Sequence, residues 1–315
     1  MRNGKAFEYS CLYSIYDRIF SNGSPVRIIS NNAYHTAQKS FDEINYETRE
    51  NILKASNTAV NLLMPLEPRL LYGEGDIVLS IAADSIAIGP DGDVRDVLCE
   101  RDDGWTIGIS CKHNHEALKH PRITEKKDFG SDWLGIPCSY DFIEEISPIT
   151  DSLVSYGESK VLWRNIEHKQ VNYYRPILEA YLHELVRLCD KYQDVPERLM
   201  SYFFGSNDFY KVIMMTKDET TTIEAFNMHG TLGSPCGKHR PMTRIPLIKM
   251  PTRLIDASFK PNSMTTIILI FDGGWTISMR LHNKDDIAKP TSLAWDVQLV
   301  GLPTSTYVNR HSWYE

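Results

Sequence analysis

The 315-residue chain has no run of about 18 apolar residues, which leaves no candidate for a membrane-spanning helix. Its opening, MRNGKAFEYS, lacks the apolar core of a secretory signal, so export is not expected and a cytoplasmic location is. Cysteine is scarce and scattered. Cys11, Cys99, Cys111, Cys138, Cys189 and Cys236 form no CxxC pair, which gives neither a zinc site nor a disulfide framework its usual spacing. Cys236 and His239 are close in SPCGKH, but two ligands do not make a metal site, and buried thiols in a reducing compartment are the simpler account. Positive charge is also short: 34 Lys and Arg stand against 41 Asp and Glu, a net charge of -7. The chain therefore has no overall basic field, although a local basic groove suffices to neutralise phosphates. Internal repeats and low-complexity tracts are missing as well.

What is present is an ordinary globular composition, 42% hydrophobic and 24% charged, in a chain long enough to bury a large core. Phe7, Cys11, Ile15 and Ile19 recur at a spacing of four and predict a helix over residues 4–20. A second helix is predicted over 42–63 from Ile44, Ile52, Ala55, Ala59 and Leu62. Strands follow in DIVLSIAADSIAIG, VRDVLC and WTIGISC. Residues 141–165 are charged and less decisive. A long helix is expected around 173–192, with Pro176 tolerated in its first turn, and another begins near Pro196. From Phe209 onward the pattern turns to strands: YKVIMMT, TTIEAFNM, TTIILIF, GWTISMRLH and AWDVQLVG.

The most informative segment is GDVRDVLCERDDGWTIGISCKHNHEALKHPR, residues 92–122. It reads as two alternating strands joined by the polar turn ERDDG, with Asp96 on the first and Lys112 near the end of the second. A carboxylate that holds a divalent metal, beside a lysine that steadies a water or a phosphoryl oxygen, is what phosphodiester hydrolysis requires. The pair resembles the active site of the PD-(D/E)xK nucleases. Asp93 competes with Asp96 for the metal, whereas Asp91 suits the PDG turn. Two residues before the lysine, where that motif has an acid, stands Ser110, a poorer ligand for a hard cation that could still hold a metal-bound water. The contiguous letters His113, Asn114 and His115 are not an HNH nuclease motif, whose residues are dispersed.

A broader resemblance runs through the chain. GISCKHNHEALKHPRIT followed by DFGSDWLGIPCS, the run GDVRDV, the opening GKAFEY, NDFYKVI, EAFNMHGTLG, GGWTISMRLHNKDD and TSLAWDVQLVGLP are similar, in order, to segments of the HaeIII-type restriction endonucleases. Lys284, Pro121, Ala294 and Trp295 depart from the pattern. The resemblance implies an α/β (α+β) fold with a PD-(D/E)xK core over residues 1–165, including the catalytic hairpin. Residues 166–315 would then supply a helical segment and a strand-rich DNA-recognition lobe. It implies a Mg2+-dependent type II restriction endonuclease cutting duplex DNA at a short palindrome, GGCC in the family's namesake. It also implies a methyltransferase acting on the same site without binding this chain. Glu8, on the opening helix, either supplies the second metal carboxylate or solvates that helix.

Asn114 and His115 are expected to contact DNA or to support Lys112, and His113 to face away. Lys119, His120, Arg122, Lys126 and Lys127 form one basic stretch, and KHRPMTRIPLIKMPTRLIDASFK, with Arg240 and Arg244, a second. Arginine paired with guanine is the commonest base contact, so Arg280, His282, Asn283, Arg240 and Arg244 are candidate readers; phosphate positioning is the other role open to them. A palindromic target favours a homodimer, although some restriction enzymes cut as monomers. A DNA-binding protein that has lost catalysis, or that needs modified DNA, is the alternative that Ser110 invites.

Overall fold

The computed structural model describes residues 2–83, 92–114, 118–124 and 126–314. Helix α1 (Arg2–Ser21) buries Phe7, Cys11, Ile15 and Ile19, the stripe that the spacing predicts. A short strand β1 (Val26–Ile28) leads to α2 (Asn32–Asp42), and α3 (Tyr46–Leu63) follows. Asn31 and Asn45 each accept a backbone N–H three residues on, so each begins its helix with a side-chain cap. The helix expected over 42–63 is thus α3 alone. Its first residue, Asp42, ends α2, a largely polar helix in which Ala37 is buried and Ala33, Tyr34 and Phe41 pack partly buried against the core.

After α4 (Arg69–Tyr72) come β2 (Ile77–Ile81), β3 (Val97–Arg101) and β4 (Thr106–His113). Part of the strand expected after Ile81, and Asp91 with its turn, lie outside the described residues. The indecisive stretch is α6 (Tyr140–Glu158), preceded by α5 (Phe129–Leu134); Pro148 lies inside α6. Helices α7 (Arg175–Lys191) and α8 (Val195–Phe204) match expectation, each with proline in its first turn. Strands β5 (Phe209–Met215), β6 (Thr220–Phe226), β8 (Thr266–Phe271), β9 (Thr276–Asn283) and β10 (Leu293–Gly301) fall where alternation placed them. Two more, β7 (Leu254–Phe259) and β11 (Tyr307–Ser312), are largely exposed strands whose sequences give little warning.

Among the described residues the strands form two sheets in a mixed α/β fold. The first runs β1-β2-β3-β4-β5-β6-β11, with β1/β2 and β4/β5 parallel and its other pairs antiparallel; the second is the antiparallel β10-β9-β8-β7. Parallel neighbours need a long crossover. Here it is residues 114–208, containing α5 to α8. The expected division after residue 165 therefore does not separate the two sheets, because β5, β6 and β11 complete the first one.

Among the described residues two hydrophobic cores result. Ile107, Ile109 and Cys111 of β4 pack with α1 and α3, and the aromatic cluster of Phe129, Trp133, Tyr181, Tyr202 and Trp295 joins α5, α7 and α8 to the second sheet. Residues 118–123 run along β10 on the side away from β9, through Leu118 N–H to Val297 O (2.8 Å), Trp295 N–H to Pro121 O (2.8 Å) and Ile123 N–H to Leu293 O (3.1 Å). The chain that leaves β4 is thus fastened to the second sheet. No described helix is long and apolar enough to cross a membrane.

Glu67 is fully buried and accepts hydrogen bonds from Tyr210 Oη (2.7 Å) and Gly233 N–H (2.6 Å). Burial pushes its carboxyl up to about 7, so the fold favours the protonated acid. That contribution is fully present below the unfolded value near 4.5 and is lost as pH rises through 7. We expect Glu67→Gln to remove a loss of about 3 kcal/mol between acid and alkaline pH, read from urea unfolding at a series of pH values. An unchanged pH slope in the variant would refute this.

Candidate active site

The strand β3 begins one residue after Asp96, so Asp96 stands at the lip of the hairpin rather than inside it. Its backbone still belongs to the ladder: Asp96 N–H donates to Ile109 O (2.8 Å), and Ala82 N–H donates to Asp96 O (2.9 Å). Beyond Ile109, β4 continues without β3 beside it. The Cys111 N–H, which points to the β3 side like Ile109, would have no strand partner. Asp96 Oδ2 accepts it at 2.7 Å and also accepts Ser110 Oγ–H at 3.3 Å. A carboxylate thereby closes the end of the ladder, and its position is set by backbone rather than by a flexible side chain.

Ser110 and Lys112 share a face of β4. Lys112 Nζ lies 3.8 Å from the same Oδ2, with the two side chains 13% and 24% exposed. Asp96 Oδ1 carries no hydrogen bond from the described residues, which leaves one oxygen of a partly exposed carboxylate beside an ammonium group. Such a pair can hold a hard cation and orient water or a phosphoryl oxygen.

Glu8 is brought to the same strand from the other side. It is buried on α1, ion-paired with Lys5 at 3.0 Å, and lies one turn before Cys11. Cys11 and Cys111 are buried in the same core, and the neighbouring Cys11 thiol, burial and the nearby charges of Asp96 and Glu8 all push the Cys111 thiol upward. Asp93 faces elsewhere. Arg95 Nε reaches both its oxygens at 2.9 Å, and Arg95 Nη2 reaches Oδ2 at 2.6 Å. Arg95 can adopt this path because it crosses Gly108, where a Cβ would lie 2.0 Å from its Cδ. Among the described residues no three His, Cys, Asp or Glu side chains form a ready metal cage.

Sequence reasoning missed Lys211 and Glu224. In register across the sheet, Ser110 neighbours Lys211 and Lys211 neighbours Glu224, with Nζ and Oε2 3.3 Å apart and the lysine buried. A charged residue inside the apolar strand FYKVIMM was the available signal, but its partner lies on another strand.

The remaining candidates divide by what already holds them. Asn114 has a left-handed backbone (φ 57°) and ties β4 to β5 through Met214 O and Thr216 N–H. His113 is half-buried and burial lowers its pKa; His115 lies outside the described residues. Lys119 Nζ donates to Tyr202 O (3.1 Å) in the last turn of α8 and sits over the Tyr202 ring, and burial lowers its pKa to about 8. Arg122 pairs with Asp285 (2.6 Å), Lys127 with Asp151 (2.6 Å) and Arg280 with Asp296 (3.2 Å). His282 is lowered mainly by burial, and Asn283 Oδ1 accepts Tyr174 Oη–H at 3.0 Å. Lys126, Arg240 and Arg244 are exposed and have no ion pair among the described residues. Arg240 lines a cleft of about 450 Å³ with Arg18, Tyr72 and His239, the last two rings stacked 3.6 Å apart.

An acid and a lysine thus stand ordered at the open end of a β-hairpin, with a helix carrying a further acid packed against the same strand. The family comparison agrees. The model of the HaeIII restriction endonucleases matches residues 4–303, and the chain belongs to that family. It is 37% identical over 315 residues, 99% of this chain and 98% of the relative, to the type II restriction enzyme HaeIII of Haemophilus aegyptius. No solved structure matches.

Gly108 offers a test of how the hairpin is held. A Cβ there would also meet Arg95 Cγ and Cβ at 2.5 and 2.7 Å, so the arginine must leave and release Asp93. We expect Gly108→Ala to lower the melting temperature and to reduce endonuclease activity at least about tenfold by displacing the segment that carries Asp96. Wild-type activity and stability would show that the Arg95 path is not needed.

Proposed function

We propose that the chain is a Mg2+-dependent type II restriction endonuclease with a PD-(D/E)xK-type core. It would hydrolyse both strands of duplex DNA at a short palindrome, with GGCC the expected site. The observation that carries this reading is the Asp96 carboxylate fixed by the Cys111 N–H, with Lys112 Nζ at 3.8 Å. In this reading Asp96 and Glu8 would hold the ion, and both offer the hard oxygen donors that Mg2+ prefers. Bound Mg2+ supplies charge neutralisation at the phosphate and a more acidic water. Lys112 orients or deprotonates the attacking water, or neutralises charge developing on the phosphate. Ser110 keeps Asp96 in place and offers a hydroxyl to a water. Asp93, held by Arg95, is the third acid of the group and supports the segment more readily than it supplies a ligand.

Lys126, Arg240 and Arg244, without carboxylate partners among the described residues, suit phosphate contacts, and Arg280, His282 and Asn283 suit base edges. Arg122, Lys119 and Lys127 would hold the connecting segment and contact DNA from it. Asn114 and His115 follow the lysine-bearing strand in the sequence and would contact DNA or support Lys112. A palindromic target fits a homodimer, and the cognate methyltransferase acts on the same DNA without being a binding partner. A cytoplasmic location follows from that role. The reading as a DNA-binding protein without catalysis draws on Ser110 alone, and the intact Asp96 and Lys112 oppose it.

Digestion of unmethylated plasmid should give discrete fragments ending at GGCC with Mg2+ and none with EDTA. Lys112→Ala and Asp96→Asn should each lose at least about 10²-fold in rate while duplex binding persists. Cutting at other sites would refute GGCC, and binding without cleavage under any divalent ion would refute the nuclease.

A further inference from the structure

On the outward face of the second sheet one carboxylate stands among potential readers. Asp296 of β10 is directly opposite Arg280 of β9, and its Oδ2 accepts Arg280 Nη2 at 3.2 Å and Gln298 Nε2 at 3.3 Å. Its Oδ1 lies 3.8 Å from Nδ1 of His120, on the segment that leaves β4 after Lys112. Asp296 is only 13% exposed, whereas Arg280 is 55% exposed. The opposite face of the same strands, Trp295 and Val297 with Met279 and Leu281, is sealed in the core. The carboxylate is therefore rigidly based and the guanidinium projects from it.

A negative charge on a surface meant for DNA repels phosphates, so its presence among groups that can donate to base edges needs a reason. An exposed arginine samples many rotamers, and ordering it costs free energy at the moment of binding. A carboxylate that grips one edge of the guanidinium leaves the other free in a fixed plane, as a guanine edge with two acceptors requires. Resting on the endonuclease reading above, we propose that Asp296 is a specificity-determining positioning residue, which orients Arg280 toward a purine edge in the groove of the target site. His120, on the segment joining the catalytic strand to the second sheet, lies 3.8 Å from the same carboxylate.

The test compares wild type, Asp296→Asn, Asp296→Glu, Arg280→Ala and the double variant Asp296→Asn/Arg280→Ala. Each is measured for kcat/KM on a duplex with the cognate site and on duplexes with one base pair changed. Asp296→Asn should reduce the ratio of cognate to altered-site cleavage at least about tenfold, with Asp296→Glu partly restoring it. The double variant should be no less discriminating than Arg280→Ala alone, since both changes remove one function. Undiminished discrimination in Asp296→Asn would overturn the proposal. So would an equal loss on all duplexes with a lower melting temperature, which marks a purely structural acid. Failure of the wild type to cut any duplex would instead sink the endonuclease reading, and this inference with it.

Discussion

The hydrogen bond from the Cys111 N–H to Asp96 Oδ2, 2.7 Å long, is the constraint on which the candidate site depends. A strand that outruns its neighbour leaves backbone donors exposed, and a buried unpaired donor is costly. Here the side chain that terminates one strand repairs the end of the next. The repair fixes a carboxylate beside Lys112, the following residue. Packing of α1 against the other face of β4, through Cys11 and Cys111, then brings Glu8 to the same end of the strand. Ordering of the site is thus a by-product of ordering the sheet, with little side-chain entropy left to lose when substrate arrives.

The polar face of the first sheet and the outward face of the second are connected by residues 118–123, anchored along β10 by three backbone hydrogen bonds and on α8 by Lys119. The aromatic cluster beneath, in which Trp295 packs against Trp133 and Tyr181, makes that attachment stiff. The exposed Arg240 and Arg244 have no ion pair among the described residues, while Arg122 and Arg280, beside β9 and β10, are held by carboxylates. Uncommitted cations release counterions from a polyanion on binding; cations held in place lose less freedom on reading a base edge.

Local features were legible in the sequence and non-local ones were not. The i, i+4 stripe of α1, the hairpin around ERDDG and the alternating strands of the second sheet follow from periodicity. The parallel pairing of β4 with β5 does not, because 114–208 intervene and alternation carries no record of a partner. Asp93 stands as a competitor to the preferred Asp96 in the sequence, since spacing cannot show that Arg95 folds back over Gly108 and takes Asp93. Lys211 and Glu224 were invisible as a pair because each is ordinary until the sheet sets them side by side. The basic stretch after Lys112 read as one charged surface, yet Lys119, Arg122 and Lys127 each have a structural partner. The family resemblance, resting on residues spread along the chain, was the part of the functional reading that the sequence alone carried well.

The central claim is that Asp96, Glu8 and Lys112 make one site. Mn2+ binding followed by electron paramagnetic resonance tests it most directly, using the protein bound to duplex in wild-type, Asp96→Asn, Glu8→Gln and Lys112→Ala forms. The account predicts that either carboxylate change weakens the ion at least about tenfold, while Lys112→Ala leaves it in place. Wild-type affinity in Glu8→Gln, with cleavage intact, would contradict it and reduce Glu8 to a residue of the helix.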